Sequence, residues 1–142
     1  MDNRLTIPWI ALRYGVGLTA TLAGLDKFFN VLADWGSYVS PTATQFLPVS
    51  IPTFMGLVGI VELVVGVAIL TRWTRAGAYV ASAWLVGVAA NLVLAGLYDV
   101  AVRDVVMAAG AFTLARLEEL RQEAPAYGVD SAPQRAAGPA TA

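Results

Sequence analysis

The stretch GIVELVVGVAIL, residues 59–70, decides the fold because it places one acidic residue inside an otherwise apolar run. A charge at the centre of a bilayer costs about 2.5–3.5 kcal/mol, so a residue such as Glu62 normally faces a bundle interior or a wet cavity. Glu62 shares one helical face with Gly59 and Gly66, and small residues on a face let a second helix approach closely. The stretch therefore predicts a membrane helix packed against a neighbour that carries a partner for Glu62.

The composition of the 142-residue chain favours the same environment. Hydrophobic residues make up 58% and charged residues 13%, whereas a typical soluble domain carries about 25% charged residues. The net charge is −1 and the basic residues are scattered, which argues against nucleic-acid binding. The chain has no Cys and no His, which excludes thiol redox chemistry, Cys/His zinc sites and haem ligation by His. Any electron chemistry would belong to a bound cofactor or to a partner protein.

Four apolar segments are each close to the ~20 residues that cross a ~30 Å hydrocarbon core as a helix. They cover residues 7–29, 52–70, 75–97 and 100–117. The predicted fold class is all-α, a four-transmembrane-helix bundle over residues 1–120 with a disordered Ala/Pro-rich cytoplasmic tail over residues 121–142. A cleaved signal peptide at the first segment fits less well, because that segment is long and Arg13 interrupts it. A buried soluble bundle is disfavoured because the segments show almost no polar outer faces.

The arginine distribution predicts the orientation, since basic residues flank the cytoplasmic ends of spans. With four spans, one side of the bundle collects Arg4, Arg72, Arg75, Arg116 and Arg121. The other side carries the acids Asp34 and Asp99. We therefore expect a multi-pass protein of the cell inner (plasma) membrane, surrounded by the lipid bilayer, with both termini in the cytoplasm.

The connection between the first two segments is long for a tight turn. Within VLADWGSYV, residues 31–39, the apolar and aromatic side chains fall on one helical face, and Trp and Tyr favour the membrane–water boundary. This pattern predicts a short interfacial helix on the outer surface that ends near Pro41. An irregular loop is the alternative.

Polar residues from all four segments converge on the outer half of the predicted bundle. At ~1.5 Å per residue, Glu62 lies roughly 15 Å below the start of its helix. The candidates for a ligand or proton site are Lys27, Glu62, Asn91, Arg103 and Asp104. Glu62 is answered by Lys27 or by Arg103, or it is protonated, because burial raises the pKa of a carboxyl group. A polar latch that only fixes the helix register is the competing interpretation of the cluster.

Three further residues are secondary candidates. Asp26 ends the first helix beside Lys27. One face of that helix, made of Gly17, Ala20, Gly24 and Lys27, matches the glycine face of Glu62. Asp99 stands four residues before Arg103, so the two side chains could simply pair at the surface. Arg13 lies about 9 Å from the cytoplasmic edge. It is expected to reach the inner headgroups or backbone carbonyls, with contact to a quinone or lipid head as the alternative.

Four stretches together resemble the DoxX/DoxD-like family of small four-helix integral membrane proteins. They are AGLDKFFN, DWGSYVSP, FMGLVGIVELVVGVAIL and YDVAVRDVVMAAGAFTLARL, and the resemblance covers about residues 9 to 117. The family pattern of a Lys followed by Phe, an acidic residue in helix 2 and an Arg/Lys–Asp pair in helix 4 is matched by Lys27, Glu62, and Arg103 with Asp104. The absence of Cys departs from thiol-bearing relatives in the wider redox-membrane group, so a direct disulfide relay is not expected.

The resemblance implies a non-catalytic membrane subunit of a redox-linked complex, associated with quinone, sulfur compounds or oxidative stress. A bound quinone and a soluble or membrane oxidoreductase partner would accompany that role, and a homo-oligomer is the other assembly considered. No metal site and no catalytic residue is expected. The first alternative is a small proton-coupled transporter or exporter that uses Glu62, and the second is a structural membrane scaffold.

Overall fold

The computed structural model describes residues 3–123, and within that range the chain is entirely helical between its turns, with no β-strand. Five α-helices and one 3-10 helix follow one another along the chain. They are α1 (Asn3–Asp26), the 3-10 helix η1 (Trp35–Tyr38), α2 (Pro41–Phe46), α3 (Ile51–Leu70), α4 (Thr74–Leu94) and α5 (Tyr98–Glu123). The all-helical prediction is therefore confirmed. Helix α5 continues through residues 121–123, and the rest of the predicted tail lies outside the described residues.

Two of the helices, α3 and α4, are long and apolar enough to cross a membrane by their length and composition. Helix α5 carries charged residues at both of its ends, and α1 contains Arg4 and Arg13. Large apolar side chains nevertheless point outward from all four long helices. Examples are Leu22 (57% exposed), Val64 (64%), Val86 (55%) and Val106 (66%).

The four long helices pack in a closed cycle, in which α1 contacts α3 and α5, and α4 contacts the same two helices. The bundle thus has two ends. The turn end contains the α3–α4 turn at residues 71–73, the start of α1 and the end of α5. The loop end contains the connection at residues 27–50 and the α4–α5 turn at residues 95–97.

The apolar core lies toward the turn end. It consists of Trp9, Val65, Ile69, Ala78, Ala81, Ala111, Leu114 and Ala115. Its residues come from the first part of α1, the last part of α3, the first part of α4 and the last part of α5. Among the described residues, the buried charged side chains Asp26 and Lys27 lie instead in the loop half.

Local capping explains where the helices begin and end. Ser40 and Ser50 accept hydrogen bonds from the backbone N–H groups of Ala43 and Thr53, and each is followed by a proline in the first turn of its helix, as expected of helix starts. Helix α4 stops three residues before the predicted end at residue 97. The reason is Gly96, which has a φ of +76° and lets the N–H of Leu97 bond back to the carbonyl of Leu92.

The short helix predicted over residues 31–39 forms only in part, as η1 (Trp35–Tyr38). Helix α1 already ends at Asp26, whose carboxylate accepts the N–H groups of Val31 and Leu32. Asn30, directly before Val31, adopts a φ of 51°, a left-handed conformation that stops a helix. Only η1 is helical in that stretch, and α2 begins at Pro41, where the predicted helix ended. Residues 27–34 therefore form a turn that is closed by the Asp26 side chain, and not a helix.

Candidate functional site

An ion pair between Lys27 and Glu62 lies at the centre of the loop half. Lys27 Nζ donates to Glu62 Oε2 at 2.6 Å, and the two side chains are only 5% and 15% exposed. Lys27 follows the last residue of α1, where the helix dipole favours a positive charge. Of the two cations predicted to answer Glu62, the structure selects Lys27.

Close packing of glycines brings these two side chains together. A Cβ built on Gly24 would lie 2.8 Å from the carbonyl oxygen of Gly59 and 3.0 Å from Glu62 Cβ. A Cβ on Gly59 would in turn lie 3.1 Å from Lys27 Cβ. The predicted glycine faces of α1 and α3 are thus confirmed as their contact surface. Because the backbones of α1 and α3 are in contact, the side chains of Lys27 and Glu62 are long enough to meet.

The aromatic ring of Trp35 covers the ammonium group of Lys27. Lys27 Nζ lies 3.8 Å from the centroid of the ring, in the range of a cation–π contact. The ring is held there because Trp35 Nε1 donates to Asp26 Oδ2 at 2.8 Å. Asp26 therefore acts on the ion pair through Trp35. Sequence reasoning took Trp35 for a membrane-boundary residue, and no local pattern in the sequence indicates its contact with Lys27.

A second carboxylate, Asp104, joins the cluster from α5. It is half-buried and lies within electrostatic range of both Glu62 and Lys27. Glu62 forms the ion pair with Lys27 and Asp104 is a second carboxylate near the same cation, so the cluster carries a net charge of −1 when all three groups are ionised. We use the name loop-end cluster for Lys27, Glu62, Asp104 and Trp35.

Asn91 belongs to the same end of the bundle but serves the connecting loop. Its Nδ2 donates to the carbonyl of Tyr38 at 2.8 Å, and its Oδ1 accepts the N–H of Ser40 at 3.1 Å. Ser40 is fully buried and caps α2. The amide of Asn91 is thus used on both sides, and it fixes η1 and α2 against α4.

We expect the replacement of Asn91 by aspartate to loosen this loop. The carboxylate cannot donate to the Tyr38 carbonyl, so two acceptors would face each other, at a cost of about 1–3 kcal/mol. Hydrogen exchange should show faster exchange of the Ser40 and Ala43 amides, with little change in α3. Ser37→Ala is the matched control, because Ser37 Oγ makes an exposed bond to Asp34 only. Equal protection of Ser40 in wild type and Asn91→Asp would contradict the anchoring role.

The remaining predicted residues lie away from the pair. Arg103 and Asp99 are both exposed, and within residues 3–123 neither forms an ion pair. The Asp99–Arg103 surface pair that their spacing suggested is therefore not formed. Arg13 is at the turn end, where it donates to the carbonyls of Ile69, Leu70 and Thr71 at 2.6–3.0 Å. The expectation that Arg13 meets backbone carbonyls is confirmed, and it caps the end of α3.

Sequence reasoning missed a set of contacts at the turn end in which two arginines pack against the ring of Trp9. Trp9 is buried, with the guanidinium groups of Arg13 and Arg121 lying 5.0 and 3.8 Å from its ring. Its Nε1 donates to Glu118 Oε2 at 2.7 Å. These contacts tie the start of α1 to the end of α5. The residues are 109 positions apart in the case of Trp9 and Glu118, so no local pattern could have revealed them.

One buried side-chain donor in the described part of the chain has no hydrogen-bond partner. Trp84 Nε1 is buried without a hydrogen bond within the described part of the chain. Gly77 of α4 lies against Ile69 of α3, and the two helices are antiparallel. Seven residues further from the α3–α4 turn, α4 carries Trp84 and α3 carries Glu62, so these two residues lie at the same depth. An unsatisfied N–H therefore lies at the depth of the ion pair.

Comparisons with family models, with curated proteins and with solved structures give no match.

Proposed function

We propose that this protein spans the membrane four times, with the turn end and both termini on the cytoplasmic side. In support, α3 and α4 have the length and composition of spans. Outward-facing Leu22 on α1 and Val106 on α5 extend the same apolar surface. Within residues 3–123, every arginine except Arg103 lies at the turn end or in its half of the bundle, as expected of a cytoplasmic end. The loop-end cluster would then lie below the outer surface of the inner (plasma) membrane.

The absence of Cys allows a direct test of this topology. One variant carries Arg72→Cys in the turn and the other carries Val31→Cys in the loop. Both positions are exposed. An impermeant maleimide added to intact cells should label the cysteine at position 31 and leave that at position 72 unlabelled until the cells are opened. Labelling of position 72 in intact cells would reverse the proposed orientation.

We infer that the protein is the membrane subunit of a redox-linked complex, of the kind its resemblance to DoxX-like proteins implies. The observation that carries this proposal is the Lys27–Glu62 pair with Asp104 beside it. A buried ion pair adds little stability over apolar residues of similar volume, whereas ionisable residues within a membrane bundle commonly mark a ligand or proton path. The chain supplies no thiol or imidazole, so electrons would pass through a bound cofactor or a partner.

The residues of the cluster fit a quinone as that cofactor. A quinone presents two carbonyl oxygens, which accept hydrogen bonds, and when bound it carries electrons together with protons. Lys27 can donate three hydrogen bonds, of which Glu62 takes one, and within residues 3–123 Trp84 Nε1 is a buried donor without a partner. Lys27 would therefore hold one carbonyl group, Trp84 is the candidate donor to the other, and Glu62 and Asp104 would hold protons beside Lys27.

Mass spectrometry of the protein purified in native lipid nanodiscs tests this proposal, because it reads proteins and small lipophilic molecules together. We expect a quinone or an oxidoreductase that is retained by wild type and lost in Glu62→Gln. Asp99→Asn is the matched control, since Asp99 is an exposed carboxylate at the same end. A clean homo-oligomer that retains neither would contradict the redox role.

A proton-coupled transporter is the second candidate, favoured by the sharing of one cation between Glu62 and Asp104. When a proton or a charged substrate leaves such a cluster, the net charge around Lys27 changes. A transporter would release protons when its substrate binds, and Glu62→Gln would abolish that release. Proton release unaffected by Glu62→Gln would exclude this role for the cluster.

A further inference from the structure

The α3–α4 turn, TRWTR at residues 71–75, presents a rigid cationic tip at the turn end. Arg72, Trp73 and Arg75 are all exposed, and Trp73 is 58% exposed. The Arg72 guanidinium lies 5.6 Å from the Trp73 ring centroid. An indole ring of this size exposed beside two arginines is unusual for a surface that faces only water, because Trp favours the membrane–water boundary.

The backbone of the turn is fixed by groups other than these arginines. Arg13 donates to the carbonyls of Ile69, Leu70 and Thr71. The buried Thr74 hydroxyl donates to the carbonyl of Ile69 at 2.9 Å, and the Thr71 hydroxyl donates to that of Val67 at 2.8 Å. The carbonyls at the end of α3 are thus satisfied, so Arg72 and Arg75 are not needed as caps.

Two acids of the turn end, Glu118 and Glu119, are engaged elsewhere. Glu118 accepts from Trp9 and Gln122, and Glu119 accepts from Tyr79 and pairs with Arg116. Within residues 3–123, neither Arg72 nor Arg75 forms an ion pair. Two guanidinium groups three residues apart on a fixed turn therefore keep their donors available to an external anion.

We propose that this tip binds the phosphate headgroup of an anionic phospholipid in the cytoplasmic leaflet. The proposal rests on the membrane placement argued above. Guanidinium groups bind phosphate oxygens with two parallel hydrogen bonds, and the Trp73 ring would lie at the level of the headgroups. A headgroup is favoured over an acidic protein segment because the ring and the charges meet at the depth where acyl chains and phosphates adjoin.

The test is native mass spectrometry of the full chain after equilibration with vesicles of phosphatidylglycerol and phosphatidylcholine in equal amounts. Wild type should retain phosphatidylglycerol in preference, and each arginine near an anionic surface is worth about a fivefold preference. Arg72→Gln/Arg75→Gln should lower the ratio of retained phosphatidylglycerol to phosphatidylcholine by about 25-fold. High salt should reduce the wild-type preference, because the contact is electrostatic.

Arg103→Gln is the control, since Arg103 is an exposed arginine at the opposite end and should change the lipid ratio by about fivefold at most, far less than the double variant. An unchanged ratio in the double variant, or no preference in wild type, would overturn the proposal. Retention of an acidic protein at the tip in place of the lipid would also overturn it. The maleimide experiment reports separately on the topology, so a failure of lipid binding and a failure of the four-span placement can be told apart.

Discussion

Replacement of Lys27 by methionine is expected to lower the free energy of unfolding by about 5 kcal/mol, and Glu62→Gln by about 3 kcal/mol. Both values follow from the general cost of about 3–5 kcal/mol for removing one partner of a buried ion pair. The order follows from Asp104. Without Lys27, two carboxylates face each other with no cation between them, whereas without Glu62 the ammonium group still has Asp104 nearby.

The double variant Lys27→Met/Glu62→Gln should recover most of the stability that Lys27→Met loses. Only the half-buried carboxylate of Asp104 is then left without a cation, and buried pairs replaced by neutral groups of similar volume are often neutral or stabilising. The three variants and wild type form a double-mutant cycle, measured by denaturant titration in a mild detergent. Additive losses in the double variant would mean that the two side chains do not interact in the folded protein.

The same double variant separates function from stability. If the loop-end cluster binds a ligand, the folded double variant should have lost quinone, partner or proton exchange although its abundance in the cell is normal. If the cluster serves stability alone, the double variant should behave as wild type in the cell. A stable double variant with an intact phenotype would therefore favour the scaffold interpretation over both functional proposals.

Sequence reasoning correctly predicted the contacts that follow from the helical spacing of residues. The glycine faces of α1 and α3 follow from helical spacing, and their contact makes Lys27 the partner of Glu62 because backbones that touch leave little distance between the two side chains. Arg103 was an equal candidate on the sequence. It was not selected, because it lies on an exposed face of α5 while Asp104 faces the interior. A one-residue difference in helical phase is too small to read from an uncertain helix start.

The failures arose where a side chain changes the path of the backbone. Residues 31–39 have a helical pattern of apolar residues, but Asp26 takes the N–H groups of Val31 and Leu32 and closes a turn. The same carboxylate positions Trp35 over Lys27. Competition between a side-chain acceptor and helical hydrogen bonds depends on atoms nearby in space, so composition and period do not reveal it.

Gly24→Ala and Gly66→Ala form the second pair of variants with a large expected effect. A Cβ on Gly24 would lie 2.8 Å from the Gly59 carbonyl oxygen and from the Leu63 backbone nitrogen. A Cβ on Gly66 would lie 2.7 Å from the Thr21 backbone nitrogen and would clash with the Thr21 hydroxyl. Backbone atoms cannot change rotamer, so α1 and α3 must separate. Overpacking typically costs about 1–3 kcal/mol, and these positions should reach the upper part of that range.

Gly15→Ala and Gly87→Ala are the matched controls, because a Cβ at either position meets nothing within 4 Å. Alanine is favoured over glycine inside a helix by about 1 kcal/mol, so the controls should be neutral or slightly stabilising in the same denaturant titration. The sign of the effect should therefore differ between glycines that face α1 or α3 and those that do not.

Separation of α1 from α3 should also weaken the ion pair, and this makes the glycine variants a test of the site. Gly24 lies against Glu62 Cβ, and Gly59 lies against Lys27 Cβ, so a wider gap lengthens the reach between the two charged groups. In the Gly24→Ala background, the coupling energy of the Lys27–Glu62 cycle should fall well below its wild-type value. An unchanged coupling energy would show that the pair does not depend on close glycine packing.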